Sequence, residues 1–326
     1  TPRILGLVAL CLFAVVNASG QRKAPTVEDL LSVNGAQGRE FWICIPPNEI
    51  NPYQVSALEI YVASAFDTEI TVFDASGDRT YRRRVDAGEI RTLSDSRGET
   101  NWTWEVREYE QAVRKGIRIT ADKPISVYVL NGKRFSSDGF LAIPTSVWGK
   151  EYIATSFYDF KEFDDWAGGF IVIAREDNTV VDIWLRGEGQ ADATTSGGKR
   201  IGDRFQVNLQ QGDVYAIKGD GQTRGVFDVT GSSIRANKPI GLMSYHQRST
   251  IPNILINGNG RDHLVEMTPP VETWGKKYVT VEYNREGSNP NAKGDLFRVI
   301  ASEDNTRWTL KYYDKTSKAL LGQGGG

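Results

Sequence analysis

Ile117-Arg-Ile-Thr-Ala-Asp-Lys-Pro-Ile-Ser-Val-Tyr-Val-Leu-Asn131 decides the fold, because it returns as Ile234-Arg-Ala-Asn-Lys-Pro-Ile-Gly-Leu-Met-Ser-Tyr-His246. Each copy reads as strand, tight turn, strand. After the first turn, Ile125, Val127 and Val129 alternate with Ser126, Tyr128 and Leu130. That period of two places one set on each face of a strand. Pro124 and Pro239 stand at a strand start, where a missing N–H costs no ladder bond. Asp122-Lys123 and Asn237-Lys238 suit a turn, since short polar side chains bond to nearby backbone.

Two further markers repeat in the same order. Trp148-Gly-Lys150 returns as Trp274-Gly-Lys276, and Glu176-Asp-Asn-Thr179 as Glu303-Asp-Asn-Thr306. The offsets are 239 − 124 = 115, 274 − 148 = 126 and 303 − 176 = 127. Ordered markers at nearly one offset predict an internal duplication.

Between the markers lie short β-rich runs separated by turn residues. Strands are expected at 41–45, 57–63, 69–73, 80–85, 89–92 and 151–157, with a further one at 102–106. In the second unit, Gly169-Phe-Ile-Val-Ile-Ala174, 179–185, a hairpin of 205–209 with 214–217, and 278–283 follow. No helical period of useful length interrupts them. The pattern predicts an all-β protein of tandem β-sandwich-like units, with a β-propeller as the alternative.

The expected division is a signal peptide at 1–20, a linker at 21–38, unit 1 at 39–157 and a joint at 158–168. Unit 2 at 169–283 and a linker at 284–294 follow. A third unit starts at 295, and its first hairpin, 295–313, precedes the terminal glycines. The chain is thus expected to be part of something longer. The signal peptide rests on Arg3, the apolar run 4–16 and Ala18-Ser-Gly20, with an uncleaved anchor as the other reading. The run is short for a membrane span, and the mature chain shows none.

Composition narrows the function. The 326 residues carry 39 basic and 41 acidic side chains, a net charge of −2. No basic block points to nucleic acid. Hydrophobic residues at 40% are sufficient for packed cores. Of the two cysteines, only Cys44 lies beyond the signal segment, so the mature chain has no internal disulfide. Phe41-Trp-Ile-Cys-Ile45 makes Cys44 a buried, inert thiol.

Reaction centres are weak throughout. Glu-Asp-Asn-Thr lacks the ligand spacing of a calcium loop and reads as a turn with left-handed Asp or Asn. His246 and His263, with Asp262, lack a third strong zinc ligand. Glu162, Asp164 and Asp165 sit in a joint, whereas a glycosidase pair must face across a cleft. Trp102 and Trp104 share one side of any strand there. They either stack on a sugar or cover a sheet edge. No Gly-x-Ser-x-Gly elbow or phosphate loop occurs in the mature chain. The expectation is a non-enzyme without cofactor or metal.

A binding loop is the better candidate. From Pro124 to Trp148 is 24 positions, and from Pro239 to Trp274 is 35, so unit 2 has 35 − 24 = 11 extra residues within 247–261. That segment mixes apolar groups with flexible turns. The candidate residues are Gln247, Arg248, Ile251, Ile254, Leu255, Asn257, Asn259 and Arg261. Insertions in repeat proteins map to loops, often on a binding face.

Several stretches together resemble the N-terminal domain of IgGFc-binding proteins, in its bacterial form. They are Gly38-Arg-Glu-Phe-Trp-Ile-Cys-Ile-Pro-Pro-Asn48, Asp122-Lys-Pro-Ile-Ser-Val-Tyr128, Gly139-Phe-Leu-Ala-Ile-Pro144 with Trp148-Gly-Lys-Glu-Tyr152, and Gly231-Ser-Ser-Ile-Arg-Ala236. Asp262-His-Leu-Val-Glu-Met-Thr-Pro-Pro270 and Asp295-Leu-Phe-Arg-Val-Ile-Ala-Ser-Glu-Asp-Asn-Thr306 complete the set. The resemblance spans about 38–310. It implies a secreted or surface β-rich binding or adhesion module of a larger protein, with an extracellular protein or glycan as partner. It also implies cysteines around 246–262, where this chain has Gln247, Arg248 and Arg261. A secreted carbohydrate-binding or carbohydrate-active protein and a structural spacer are the rival readings.

Overall fold

In the computed structural model, the stretch at 117–131 is not a hairpin but most of a single long strand that changes sheets. The structure describes residues 35–49, 57–94, 104–158, 166–189, 192–221, 227–251, 261–281, 296–314 and 316–326. The signal segment, the 284–294 linker, Trp102 and the acids at 162–165 lie outside these residues.

Strand β7 (Ile117–Gly132) runs unbroken through Asp122-Lys-Pro124. Its first half pairs with β1 (Gly38–Ile43) and β3 (Thr68–Asp74). Its second half pairs with β2 (Ala57–Ala63) and β8 (Ser137–Leu141). The corner between the halves is held by Lys123 N–H donating to Thr68 Oγ1 at 3.3 Å and Ser64 Oγ donating to the Pro124 carbonyl at 2.9 Å. Pro124 has no N–H to offer a ladder, so the chain changes partners there instead of folding back. Strand β4 (Arg79–Val85) extends the first sheet beyond β3, and β5 (Ile90–Ser94) extends the second beyond β2. The two orders are β4-β3-β7-β1 and β5-β2-β7-β8.

The second half of the chain changes sheets at a break. Strand β16 (Ser233–Ala236) ends before Asn237-Lys-Pro239, and β17 (Ile240–Ser249) begins after it. They do not pair with each other. β16 lies between β11 (Thr179–Trp184) and β9 (Glu151–Ile153), with β13 (Arg204–Leu209) beyond β11. β17 lies between β10 (Gly168–Ala174) and β18 (Asp262–Met267), with β14 (Asp213–Lys218) beyond β10. The orders are β13-β11-β16-β9 and β14-β10-β17-β18. The expected hairpin of 205–209 with 214–217 is therefore also corrected, since β13 and β14 belong to different sheets. Likewise β9, expected to close the first unit, pairs with β16.

Strand β6 (Ala112–Arg114), which has too few residues for an alternation to show, pairs with β14 and extends that sheet to five strands. No strand forms at 104–106, where Trp104 is buried instead. A small two-stranded ribbon pairs β12 (Glu188–Gly189) with β15 (Phe227–Asp228). At the C-terminal end the hairpin is β19 (Thr309–Tyr313) with β20 (Leu320–Gly325), later than the 295–313 expected, and 296–300 is not paired.

Two cores result. In the first, Ile60, Ile70, Ile119 and Val127 meet Ile171, Ile173, Val214 and Met243. In the second, Phe170, Val172, Tyr215 and Leu242 meet Val181, Ile183 and Ile234. The five-stranded sheet is thus covered on both faces, and every residue of β10 and β14 is buried. This explains the unbroken apolar run 169–174, which a half-exposed strand would alternate. Each large aliphatic or aromatic side chain buried this way contributes about 1.5–3 kcal/mol. The structure is all-β, as the sequence predicts, with several sheets around two cores, and the first core draws on both expected units, 39–157 and 169–283. Among the described residues, no helix is long and apolar enough to cross a membrane.

Candidate functional site

The segment 247–261 joins β17 to β18, two strands of the doubly covered sheet, so its roots are deeply set. Ile254, Leu255, Asn257 and Asn259 lie outside the described residues. Gln247, Arg248, Ile251 and Arg261 are described, and they have different roles.

Gln247 is not a surface contact residue but a buried anchor. Its backbone N–H donates to the Ala167 carbonyl at 3.1 Å. Its side-chain oxygen accepts from Ala167 N–H at 3.2 Å and from Lys218 Nζ at 3.3 Å. Arg248 forms an ion pair with the buried carboxylate of Glu49 and donates to the Phe135 carbonyl at 3.4 Å. Its guanidinium also lies 4.9 Å from the centre of the half-buried Trp166 ring, and that of Arg261 lies 5.6 Å from the same ring. Such cation–aromatic contacts contribute about 0.5–2 kcal/mol each. Ile251 is half-buried.

Beneath these roots is a polar layer between the two halves. Glu105 is buried and pairs with Arg107 and, at 3.4 Å, with Lys133. Asn131 Nδ2 donates to Glu105 Oε1 at 2.9 Å and to the Pro46 carbonyl at 3.0 Å. Asn48 Nδ2 donates to the Ser136 carbonyl at 2.8 Å. Burial pulls the Lys133 ammonium down to about 8, against the pull of Glu105. Charges withdrawn from water remain only where paired and hydrogen-bonded.

His246 and His263 belong to this layer. Arg248 N–H donates to His246 Nδ1 at 3.1 Å, so that nitrogen is the unprotonated one. His263 Nδ1 lies 2.9 Å from the His246 carbonyl, which assigns its proton to Nδ1. Burial lowers both rings, His246 to about 3 and His263 to about 4, with Lys133 and Arg107 also acting on His263. Both are neutral core imidazoles at pH 7. Asp262 points the opposite way and accepts from Ser137 N–H at 2.6 Å. Asp138 reciprocates, accepting from Val265 N–H at 2.9 Å. These two carboxylates tie the edges of β8 and β18 together. Among the described residues no group of three or more His, Cys, Asp or Glu is placed to hold a metal ion.

The remaining markers are structural. Asn178 and Asn305 adopt φ of 54° and 60°, as expected for the Glu-Asp-Asn-Thr turns. Trp104 is buried with Nε1 donating to Asp74 Oδ2 at 3.2 Å, so it is not available for stacking on a sugar. Cys44 is fully buried and unpaired, and burial raises its thiol pKa. Glu49, Glu105, Lys133 and Trp166 were not predicted by sequence reasoning. Glu49 and Trp166 reach Arg248 from distant positions, Glu105 and Lys133 meet in the polar layer, and no local spacing links them.

No curated protein matches the chain. The family model described as IgGFc binding protein matches residues 138–325, which include β17, 247–261 and β18. That match covers more than half of the sequence, and the chain belongs to the IgGFc-binding protein family.

Proposed function

We propose that the chain is a non-enzymatic binding and adhesion module, secreted or displayed at the cell surface, that presents 247–261 to an extracellular protein or glycan. The observation that carries this reading is the clamped root of the segment. Gln247 bonds to Ala167, Arg248 pairs with Glu49, and Arg248 and Arg261 flank Trp166. A loop fixed at its base by buried bonds loses less freedom on binding than a free one.

The scaffold is read as a duplication. The orders β4-β3-β7-β1 and β5-β2-β7-β8 correspond, strand by strand in sequence, to β13-β11-β16-β9 and β14-β10-β17-β18. Together with the three repeated markers, this supports two units of one pattern. In such a pair the extra 11 residues of the second are the element free to acquire a ligand.

The test is replacement of 249–259 by a short Gly-Ser linker, leaving Gln247, Arg248 and Arg261 in place. A glycan and host-protein array, with immunoglobulin Fc as one member, is probed with both proteins. The expected result is an unchanged circular-dichroism spectrum and melting temperature with loss of the ligand found by the parent. Unchanged binding would move the site elsewhere.

A further inference from the structure

Within the polar layer, one oxygen of Glu105 faces two nitrogens. Glu105 Oε1 accepts from Asn131 Nδ2 at 2.9 Å and lies 3.4 Å from Lys133 Nζ, while Oε2 is bound by Arg107. Asn131 and Lys133 stand two apart where β7 ends, and both are buried, with the half-buried Gly132 between them. That spacing places the two side chains on one face of the strand. The Lys133 side chain is 1% exposed and that of Glu105 0%. The Asn131 carboxamide is held at both ends. Its Nδ2 also donates to the Pro46 carbonyl at 3.0 Å, and its Oδ1 accepts from Asn48 Nδ2 at 3.5 Å.

These are the parts of an amide-forming reaction. A lysine amine becomes a nucleophile when it is desolvated and neutral, and holding it beside its target replaces a bimolecular encounter. Burial pulls Lys133 down to about 8, so the neutral amine is populated near neutral pH. The carboxamide has a hydrogen-bond donor at its oxygen and a carboxylate at its nitrogen.

We propose that Lys133 and Asn131 condense spontaneously into an internal amide cross-link, with Glu105 carrying the proton. Lys133 Nζ attacks Asn131 Cγ, and Asn48 Nδ2 supports the oxygen on which negative charge develops. Glu105 Oε1 takes a proton from the attacking nitrogen and delivers it to Asn131 Nδ2. The Cγ–Nδ2 bond breaks, ammonia leaves, and the Cγ–Nζ amide remains. Nothing is oxidised or reduced, no co-reactant enters, and Glu105 ends as it began. Each chain reacts once, so this is self-modification and not turnover. The product replaces a buried ammonium with a neutral amide, which lowers the cost of keeping that group out of water. It leaves the Glu105 carboxylate to Arg107, and it closes a ring across Gly132. The inference rests on the polar layer and not on ligand binding at 247–261.

Intact mass spectrometry of the full chain, purified in its native state, reads the outcome. The mass should be lower than that of the sequence by one ammonia. Trypsin should not cut after Lys133, and fragmentation of the peptide should show no break between 131 and 133. Asn131-Gly132 could lose the same ammonia by closing a succinimide on its own backbone, and two measurements separate the reactions. Lys133→Met, which leaves Glu105 paired with Arg107, should restore the full mass, and hydroxylamine should not cleave the parent at 131. Glu105→Gln should slow formation about a hundredfold or more, with its fold checked by circular dichroism. If that variant fails to fold, the parent and Lys133→Met masses still decide. A native parent of full mass, or an ammonia loss that persists in Lys133→Met, would overturn the proposal.

Discussion

Arg248 and Glu49 stand 199 positions apart in sequence and form an ion pair at the root of 247–261. The carboxylate is almost wholly out of water, and the guanidinium largely so. Removing one member of such a pair strands the other charge, typically at about 3–5 kcal/mol. Glu49→Ala should lower the urea unfolding midpoint accordingly. Replacing both, as Glu49→Leu with Arg248→Met, should recover most of the loss. A single-variant loss under about 1 kcal/mol would mean that solvent screens the pair.

Acid should weaken the molecule through its two histidines. Their folded pKa values, about 3 and about 4, lie below the ordinary 6.5. The stability they contribute is fully present above pH 6.5. As pH falls from there, the unfolded chain takes up protons that the folded chain refuses, so stability declines until about pH 4 to 3. The slope is about 1.4 kcal/mol per pH unit for each ring. Denaturation midpoints from pH 7 to 4 should show this decline, and His246→Asn with His263→Gln should flatten it.

Trp148 and Gly241 should behave as a coupled pair. Gly241→Ala places a methyl group against the indole, an overpacking worth about 1–3 kcal/mol. Trp148→Ala empties a buried site at about 3–5 kcal/mol. The double variant should lose less than the sum, because the methyl group enters space that the indole left. Strict additivity in a double-mutant cycle would contradict the contact.

Cys44 should resist modification. It is fully buried in the first core, and burial raises its pKa, so little thiolate forms. Alkylation at Cys44, followed by mass spectrometry, should be slow in the native protein and fast in denaturant. Rapid native labelling would require this part of the core to open locally.

Much of this fold was legible where a period was strong. Alternation at 125–130 gave the buried face of β7, and the turn at Asn178 followed from its side chain. What misled was proximity in sequence. Strand-turn-strand at 117–131 and at 234–246 suggests a hairpin, but Pro124 and Pro239 mark places where the chain leaves one sheet for another. The partners of each half are set by distant strands. β6 has three residues, too few for a period, and its pairing with β14 crosses a hundred positions. At the candidate site, the insertion by length located 247–261, and Gln247 was read as a contact where it is an anchor. Burial of that glutamine depends on Ala167 and Lys218, which no local pattern brings beside it.

The five-stranded sheet covered on both faces has a consequence for inheritance. One of its faces is lined by the second core and the other by residues from before position 142, while its outermost strand, β6, comes from the earlier half. A break between 142 and 150 leaves Ile171, Ile173, Val214 and Met243 bare on one piece and β6 without a ladder on the other. Neither piece is a transferable cassette. Gene rearrangement that shuffles this module has to carry both halves together, and a recombinant fragment cut at the apparent repeat boundary gains a sticky sheet and not a domain.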